Sequence, residues 1–299
     1  MDMTAIERII SDNILGFPVE SIAFLGEGDF CVAYCVNNEW VFRLAKDEDA
    51  SKRLEREALL LPRLAPQLNL RIPNIELQGC SPLTGLAFVG YRRVPGNELT
   101  KERFSRLSID ERGRIAHELA EFTWGLHSFD LDTARQLGIS DYDYPSLFSS
   151  DLERAERRAF TIMDSEMQDY CRQIIQQHLR CGKLEFQPAL LHDDLSQWHI
   201  LFDSEIGAVT GIIDFTDVAI GDPAQDLMYI YDDYGPEFTN QLLDCHSEAV
   251  RSCILDRVHF YHEWHTLRRL LWAVENKHEL LISRRLDELR DLKNRAVST

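Results

Sequence analysis

The sequence predicts an α+β fold whose two kinds of structure are segregated along the chain. A small β-rich lobe covers residues 1–94, and a larger, mainly helical lobe covers residues 95–299. Three observations predict it. Residues 21–45, SIAFLGEGDFCVAYCVNNEWVFRLA, are apolar runs rich in Val, Phe and Tyr, split by a glycine pair and by Asn37-Asn38. Residues 109–128, 151–180 and 237–295 carry helical patterning. Between the helical stretches, residues 189–214 form a single β-rich island. Strands and helices do not alternate regularly, which excludes a doubly wound parallel sheet.

Taken in order, MDMTAIERIISDN reads as a short amphipathic helix. It has neither the basic start nor the apolar stretch of a secretory leader. Asn37-Asn38 predicts a tight hairpin turn. Residues 49–64 read as a helix that sets Leu54, Ala58, Leu61 and Leu64 on one face. Two further strands, IPNIELQG and LAFVGYRRV, run up to Pro95-Gly96, where the first lobe ends. In the island, HILFD and AVTGIID flank a turn at 204–207 and predict a hairpin.

The 299 residues are 44% hydrophobic and 27% charged, enough for a substantial core. No apolar run is long enough to span a bilayer. Seven scattered cysteines without a CxxC pair predict free, mostly buried thiols, a reducing cytoplasmic setting and no zinc site. The net charge of −18, from 32 basic and 50 acidic side chains, repels nucleic acid and anionic membranes and favours cationic ligands. The chain is expected to be a monomer.

The chemistry concentrates in LLHDDLSQWHILFD, residues 190–203, where His192, Asp193, Asp194, Ser196, Gln197 and His199 sit between apolar runs. The hairpin returns Asp214 of GIIDFTD towards His199. Asp194 can then accept a proton from a hydroxyl, while His199 and Asp214 can hold a divalent metal that bridges phosphate oxygens. Upstream, Gly26 and Gly28 of GEGDFC can bring backbone N–H groups against phosphate, although a plain hairpin fits them too. Arg43 on a strand and Glu57 fourteen residues later on a helix form a candidate ion pair near phosphate. HEWH at 262–265 is one residue short of HExxH and reads as helix surface.

In order and spacing these elements resemble the aminoglycoside phosphotransferases, the antibiotic-kinase branch of the bilobal protein-kinase-like fold. The likeness runs through LGEGDFCVAY, WVFRL, REALLLPRL, VGYRRVPG, LAEFTWGLHSF, HDDLSQWH and IIDFTDVAIGDPAQDL, nearly the whole chain. Within the family it is greatest to the 2''-phosphotransferases, and the macrolide phosphotransferases share the His variant. The resemblance implies transfer of the γ-phosphate of GTP or ATP, with Mg²⁺, to a hydroxyl of an aminoglycoside. It implies Asp194 as the base, with His199 and Asp214 on the metal. It implies that Gly26, Gly28 and Arg43 (set by Glu57) hold the phosphates, and that the backbone at Arg92 and Val94 meets the nucleotide base. Tyr91 in the base pocket favours GTP. Asp193 and the YIYDDYGPEF carboxylates Asp232, Asp233 and Glu237 are implied to meet acceptor ammonium groups, against which Arg268-Arg269 would weigh if they faced the same cleft. His192 is expected to be structural, and Asp222 and Asp226 to be a helix cap and a brace for the catalytic loop. Three departures stand out: Arg43 replaces the usual Lys (Lys46 lies too late), His199 the usual Asn, and Thr216 the usual Gly. A macrolide 2'-phosphotransferase, a small-metabolite kinase and a nucleotide-binding pseudokinase remain alternatives.

Overall fold

The computed structural model describes residues 3–14, 16–181 and 186–298. The chain divides into two compact units, Met1–Ser140 with Ala189–Ile220, and Asp141–Pro188 with Gly221–Thr299. The expected division at 94/95 falls inside the first unit, which takes in both the N-terminal strands and the β-rich island.

The first unit opens with α1 (Met3–Asn13) and a five-stranded sheet of β1 (Ile22–Glu27), β2 (Cys31–Val36), β3 (Trp40–Ala45), β4 (Ile75–Cys80) and β5 (Ala87–Arg92). The spatial order is β1-β2-β3-β5-β4, and every pairing is antiparallel. Asn37 and Asn38 both take positive φ, 55° and 56°, as the central pair of the tight turn between β2 and β3, which the Glu39 N–H closes by donating to the Val36 carbonyl at 3.1 Å. β3 is buried at every position because both faces of the sheet are covered. On one face Ile6, Ile9 and Ile10 of α1 pack with Tyr34, Phe42 and Phe88. On the other, Ala50 and Leu54 of α2 (Glu48–Leu64) pack with Cys31, Ala45 and Val89. The Asp47 side chain caps α2 by accepting from the Ala50 N–H at 2.8 Å.

Next come β6 (Asn97–Glu98), α3 (Lys101–Ser105), α4 (Ile109–His127) and α5 (Leu131–Gln136). A capping box between Ser108 and Glu111 starts α4. The island supplies β7 (Ala189–Leu191), β8 (Ile200–Asp203) and β9 (Ala208–Ile212), and β10 (Ala219–Gly221) follows just beyond it. β8 and β9 are the predicted hairpin, with β6 added on the outer side of β8. Gly211 allows the close approach that seats it: a Cβ there would lie 2.7 Å from the Arg71 carbonyl oxygen and 2.6 Å from Val94.

The second unit holds α6 (Tyr144–Arg154), α7 (Ser165–Cys181), α8 (Ala224–Tyr234), α9 (Pro236–Leu242), α10 (Glu248–Glu275) and α11 (Glu279–Ser298). Its core is aromatic: Phe148, Tyr261 and Trp264 are fully enclosed, and the Trp264 indole N–H donates to Asp151 at 3.0 Å. HEWH is therefore not helix surface. Trp264 and His265 are buried, and His262 is taken up by Asp232, because α10 is packed between α8 and α11. The helix cap expected at Asp222 is present. Asp222 caps α8 by accepting from the Ala224 N–H at 3.0 Å and ties it to α10 through Arg257 at 2.7 Å.

Six described cysteines are free, but only Cys31, Cys35 and Cys171 are buried, so "mostly buried" is too strong. Cys181 lies outside the described side chains. Among the described residues no helix is long and apolar enough to cross a membrane.

Candidate active site

Two backbone kinks in the first unit carry its most unusual carboxylates. Asp193 has φ 65° and Asp214 φ 67°, left-handed values that cost a non-glycine residue free energy and that cluster at functional sites. His192 binds the two kinks together. Its Nδ1 accepts from the Asp194 N–H at 3.3 Å, so its Nε2 carries the proton and donates to the Ile213 carbonyl at 3.1 Å. The ring is wholly buried, which is the structural role expected of it.

His199 is set the opposite way. Its Nδ1–H donates to the Asp194 carbonyl at 2.8 Å, which leaves Nε2 facing Asp214 Oδ2 at 3.7 Å. The Asp194 carbonyl thus fixes the ring so that Nε2 turns towards Asp214. The other oxygen of Asp214, Oδ1, accepts from Arg43 Nη2 at 2.6 Å and from the Thr216 hydroxyl. Arg43 also donates to the Thr216 oxygen and, through Nη1, to both oxygens of Glu57 at 2.8 and 2.9 Å. Arg43 and Glu57 are both buried, so this is a desolvated, bidentate pair rather than a surface contact. Burial works against the charge on Arg43, but Asp214 and Glu57 outweigh it and hold the guanidinium protonated. Burial likewise pushes Asp214 up, but Arg43 and His199 overcome it and hold its carboxyl well below the usual carboxylate range. Arg43, written in the sequence as a departure from Lys, reaches further than a Lys pair would, and Thr216 receives its extra N–H.

A cavity of about 670 Å³ opens onto these groups. Gly26, Gly28, Arg43, Tyr91, Val94, Asp194, His199 and Asp214 all line it. Glu57 stands one residue behind, under Arg43. The Arg92 side chain lies outside the lining, over the Trp40 ring at 4.2 Å and on Glu39 at 2.5 Å. Asp193 is buried and also outside the lining. A Cβ at Gly26 or Gly28 would meet no atom within 4 Å, and neither residue has positive φ. Nothing within the protein demands glycine there.

Four features were not read from the sequence. Lys46 closes the foot of the glycine loop by pairing with Glu27 at 2.6 Å. Asp217 lines the cavity, and its pKa is raised to about 6, by burial first and then by Asp214 and Asp194. Trp198 is the exposed member of the 192–199 loop and lines the cavity too. Arg53 on α2 reaches towards Asp217. The one available signal was spacing: Asp217 follows Asp214 by one turn of chain, and Arg53 precedes Glu57 by one turn of helix.

Asp232, Asp233 and Glu237 belong to the second unit. Asp232 shares its charge with Arg269 at 2.8 Å and His262 at 3.1 Å. Arg268 is engaged as well, by Asp151 at 3.4 Å and by the Trp264 ring. Glu237 is exposed near the start of α9.

As to the metal, Asp214 Oδ2 and His199 Nε2 are one oxygen and one nitrogen donor 3.7 Å apart. Among the described residues no group of three or more His, Cys, Asp or Glu side chains could hold a metal ion. A cation held by this pair would need the rest of its shell from ligand oxygens and water, which suits a divalent ion bound together with a polyphosphate.

Residues 30–265 match the model of a family described as phosphotransferase enzymes (APH). The GDP complex of wild-type aminoglycoside 2'-phosphotransferase-IIIa is 29% identical, with a TM-score of 0.91 over 99% of this chain and 100% of that one. The GDP and kanamycin complex of APH(2")-IIIa gives 29% and 0.90, over 97% and 98%. Among curated proteins, the uncharacterized protein YcbJ of Bacillus subtilis (strain 168) is 38% identical over 61 residues. That match spans only 20% of this chain and 20% of YcbJ.

Proposed function

The chain belongs to the phosphotransferase enzyme family, and from that membership we propose that it transfers the γ-phosphate of GTP or ATP to a hydroxyl of an aminoglycoside, as a 2''-phosphotransferase does. The observation that carries the reading is the convergence of Asp194, His199 and Asp214 on one cavity roofed by the glycine loop. The near full-length likeness to a solved 2''-phosphotransferase supports the choice of acceptor.

In this reading residues 1–94 are the nucleotide lobe and residues 95–299 carry the catalytic loop and the acceptor site. Gly26 and Gly28 lend backbone N–H groups to the phosphates, which explains glycines that the protein itself does not require. The backbone at Arg92 and Val94 holds the nucleotide base. The buried Tyr91 ring narrows that end of the cavity, and we take GTP as the preferred donor. Asp214 and His199 would hold Mg²⁺, which would supply charge neutralisation at the phosphates. Arg43, steadied by Glu57, keeps Asp214 ionised and turned so that Oδ2 faces His199. Asp194 orients the acceptor hydroxyl and takes its proton, with its loop fixed through His192. Positioning and charge neutralisation, rather than a strong base, do the chemistry.

Asp233 and Glu237 are the carboxylates we assign to acceptor ammonium groups; Asp232 is already shared with Arg269 and His262. Asp193, being buried, is assigned to holding the loop. We take the protein to act as a cytoplasmic monomer. The test is transfer of labelled γ-phosphate from GTP or ATP to kanamycin, gentamicin and macrolides. Label in kanamycin or gentamicin supports the reading. Label in macrolides alone, or in none, overturns it.

A further inference from the structure

Arg53 carries no role in the reading above, yet its guanidinium meets three separate segments of the first unit. It lies over the Phe30 ring, 4.1 Å from the centroid. Its Nη1 donates to the Thr216 carbonyl and to Asp217 Oδ1, each at 3.3 Å. Its Nε donates to Asp49 Oδ2 at 2.8 Å, one turn back on α2. Phe30 closes the glycine loop, directly before Cys31 of β2. Its carbonyl accepts from the Lys46 N–H at 2.9 Å, and Lys46 in turn pairs with Glu27. Thr216 and Asp217 follow Asp214 directly. One planar cation on α2 therefore joins the loop that roofs the cavity to the loop that carries Asp214.

We propose that Arg53 is a positioning residue that couples the glycine loop to the Asp214 loop, so that nucleotide and metal are gripped as one event. The inference rests on the cavity being a nucleotide site.

The physics favours a coupling role over plain stability. The guanidinium is about a quarter exposed, and Asp217 rather more, so the ion pair alone contributes little. What the contact supplies is geometry. A planar guanidinium can stack on a ring through its face while its edge donates in plane, and a lysine ammonium cannot do both. Asp49 holds the Nε edge, which fixes the plane. Glu57 lies one turn further along α2 and holds Arg43 of β3, so Arg53 and Arg43 grip the 214–217 loop at two points: Arg43 by the side chains of Asp214 and Thr216, Arg53 by the Thr216 carbonyl and Asp217.

The test measures GTP and GDP dissociation constants by calorimetry, with and without Mg²⁺, for wild type, Arg53→Lys, Phe30→Leu and the double variant. Melting temperatures show that each is folded. The expected result is that each single change weakens Mg²⁺-nucleotide binding about tenfold. Binding without Mg²⁺ should weaken less, and the double variant should be no worse than either single one. Lysine failing to rescue is part of the expectation. Unchanged nucleotide affinity in Arg53→Lys, or losses that multiply in the double variant, would overturn the coupling. If wild type itself binds neither nucleotide, the functional reading fails instead, and the two failures are distinguished at the first titration. Asp217→Asn is the second route. It should mimic Arg53→Lys in the Mg²⁺ dependence, and equal loss with and without Mg²⁺ would count against the proposal.

Discussion

Asp194 and His199 are joined through the backbone before either meets a ligand. The Asp194 carbonyl holds the His199 ring, and the Asp194 N–H is held by His192. Replacing the Asp194 side chain should therefore remove proton acceptance without undoing the loop. Asp194→Ala is expected to lower kcat by on the order of 10³ while the GTP dissociation constant stays within a few fold; comparing kcat with calorimetric binding checks it. His199 gives a second prediction. An imidazole suits Mn²⁺ better than Mg²⁺. His199→Asn should shift the ratio of Mg²⁺- to Mn²⁺-supported turnover towards Mg²⁺, and an unchanged ratio would mean that His199 is not a ligand. Asp217 gives a third, on stability. Its folded pKa of about 6 lies above its ordinary value of 3.8, so between those values the folded state binds more protons than the unfolded one. Stability from this group is thus lost as pH rises through that window. In metal-free protein, the melting temperature of Asp217→Asn relative to wild type should climb from pH 4 to pH 6 and then level off.

At the scale of elements, β3 and α2 matter most, because they bring Arg43 and Glu57 together in the interior. Removing Glu57 strips the buried guanidinium of two of its hydrogen bonds and leaves its charge to Asp214 alone. Glu57→Ala should cost about 3–5 kcal/mol in denaturant unfolding, and a loss under 1 kcal/mol would contradict the buried-pair account. These elements were legible in the sequence for physical reasons. α2 showed its apolar spacing, and the hairpins showed Asn37-Asn38 and the turn at 204–207. The HxD…IDF constellation could be read because backbone order places those side chains. What could not be read was set by tertiary packing. HEWH looked like helix surface because a sequence does not show that α10 is covered by both α8 and α11. Asp193 looked available because sequence does not show that φ 65° turns it inward. Asp232 looked like a free acid because its partners, His262 and Arg269, lie thirty and more residues away. Arg53 went unnoticed for the same reason: two of its partners lie over 160 residues downstream.

Across the whole molecule the dominant quantity is charge. A chain of net charge −18 draws a polycationic acceptor towards it and repels polyanions, so the proposed nucleotide site has to rely on local groups such as the glycine-loop backbone. Long-range attraction of this kind is screened by salt, so KM for the acceptor should rise with ionic strength while KM for the nucleotide changes less. The account's central claim is that the cavity beneath the glycine loop transfers phosphate to an aminoglycoside hydroxyl. The most direct measurement is mass spectrometry and ³¹P NMR of kanamycin incubated with the protein, GTP and Mg²⁺, beside the Asp194→Ala variant. The account predicts a single added phosphate, as a monoester on the acceptor, from wild type and none from the variant. Unmodified kanamycin with wild type, or equal phosphorylation by Asp194→Ala, would contradict it.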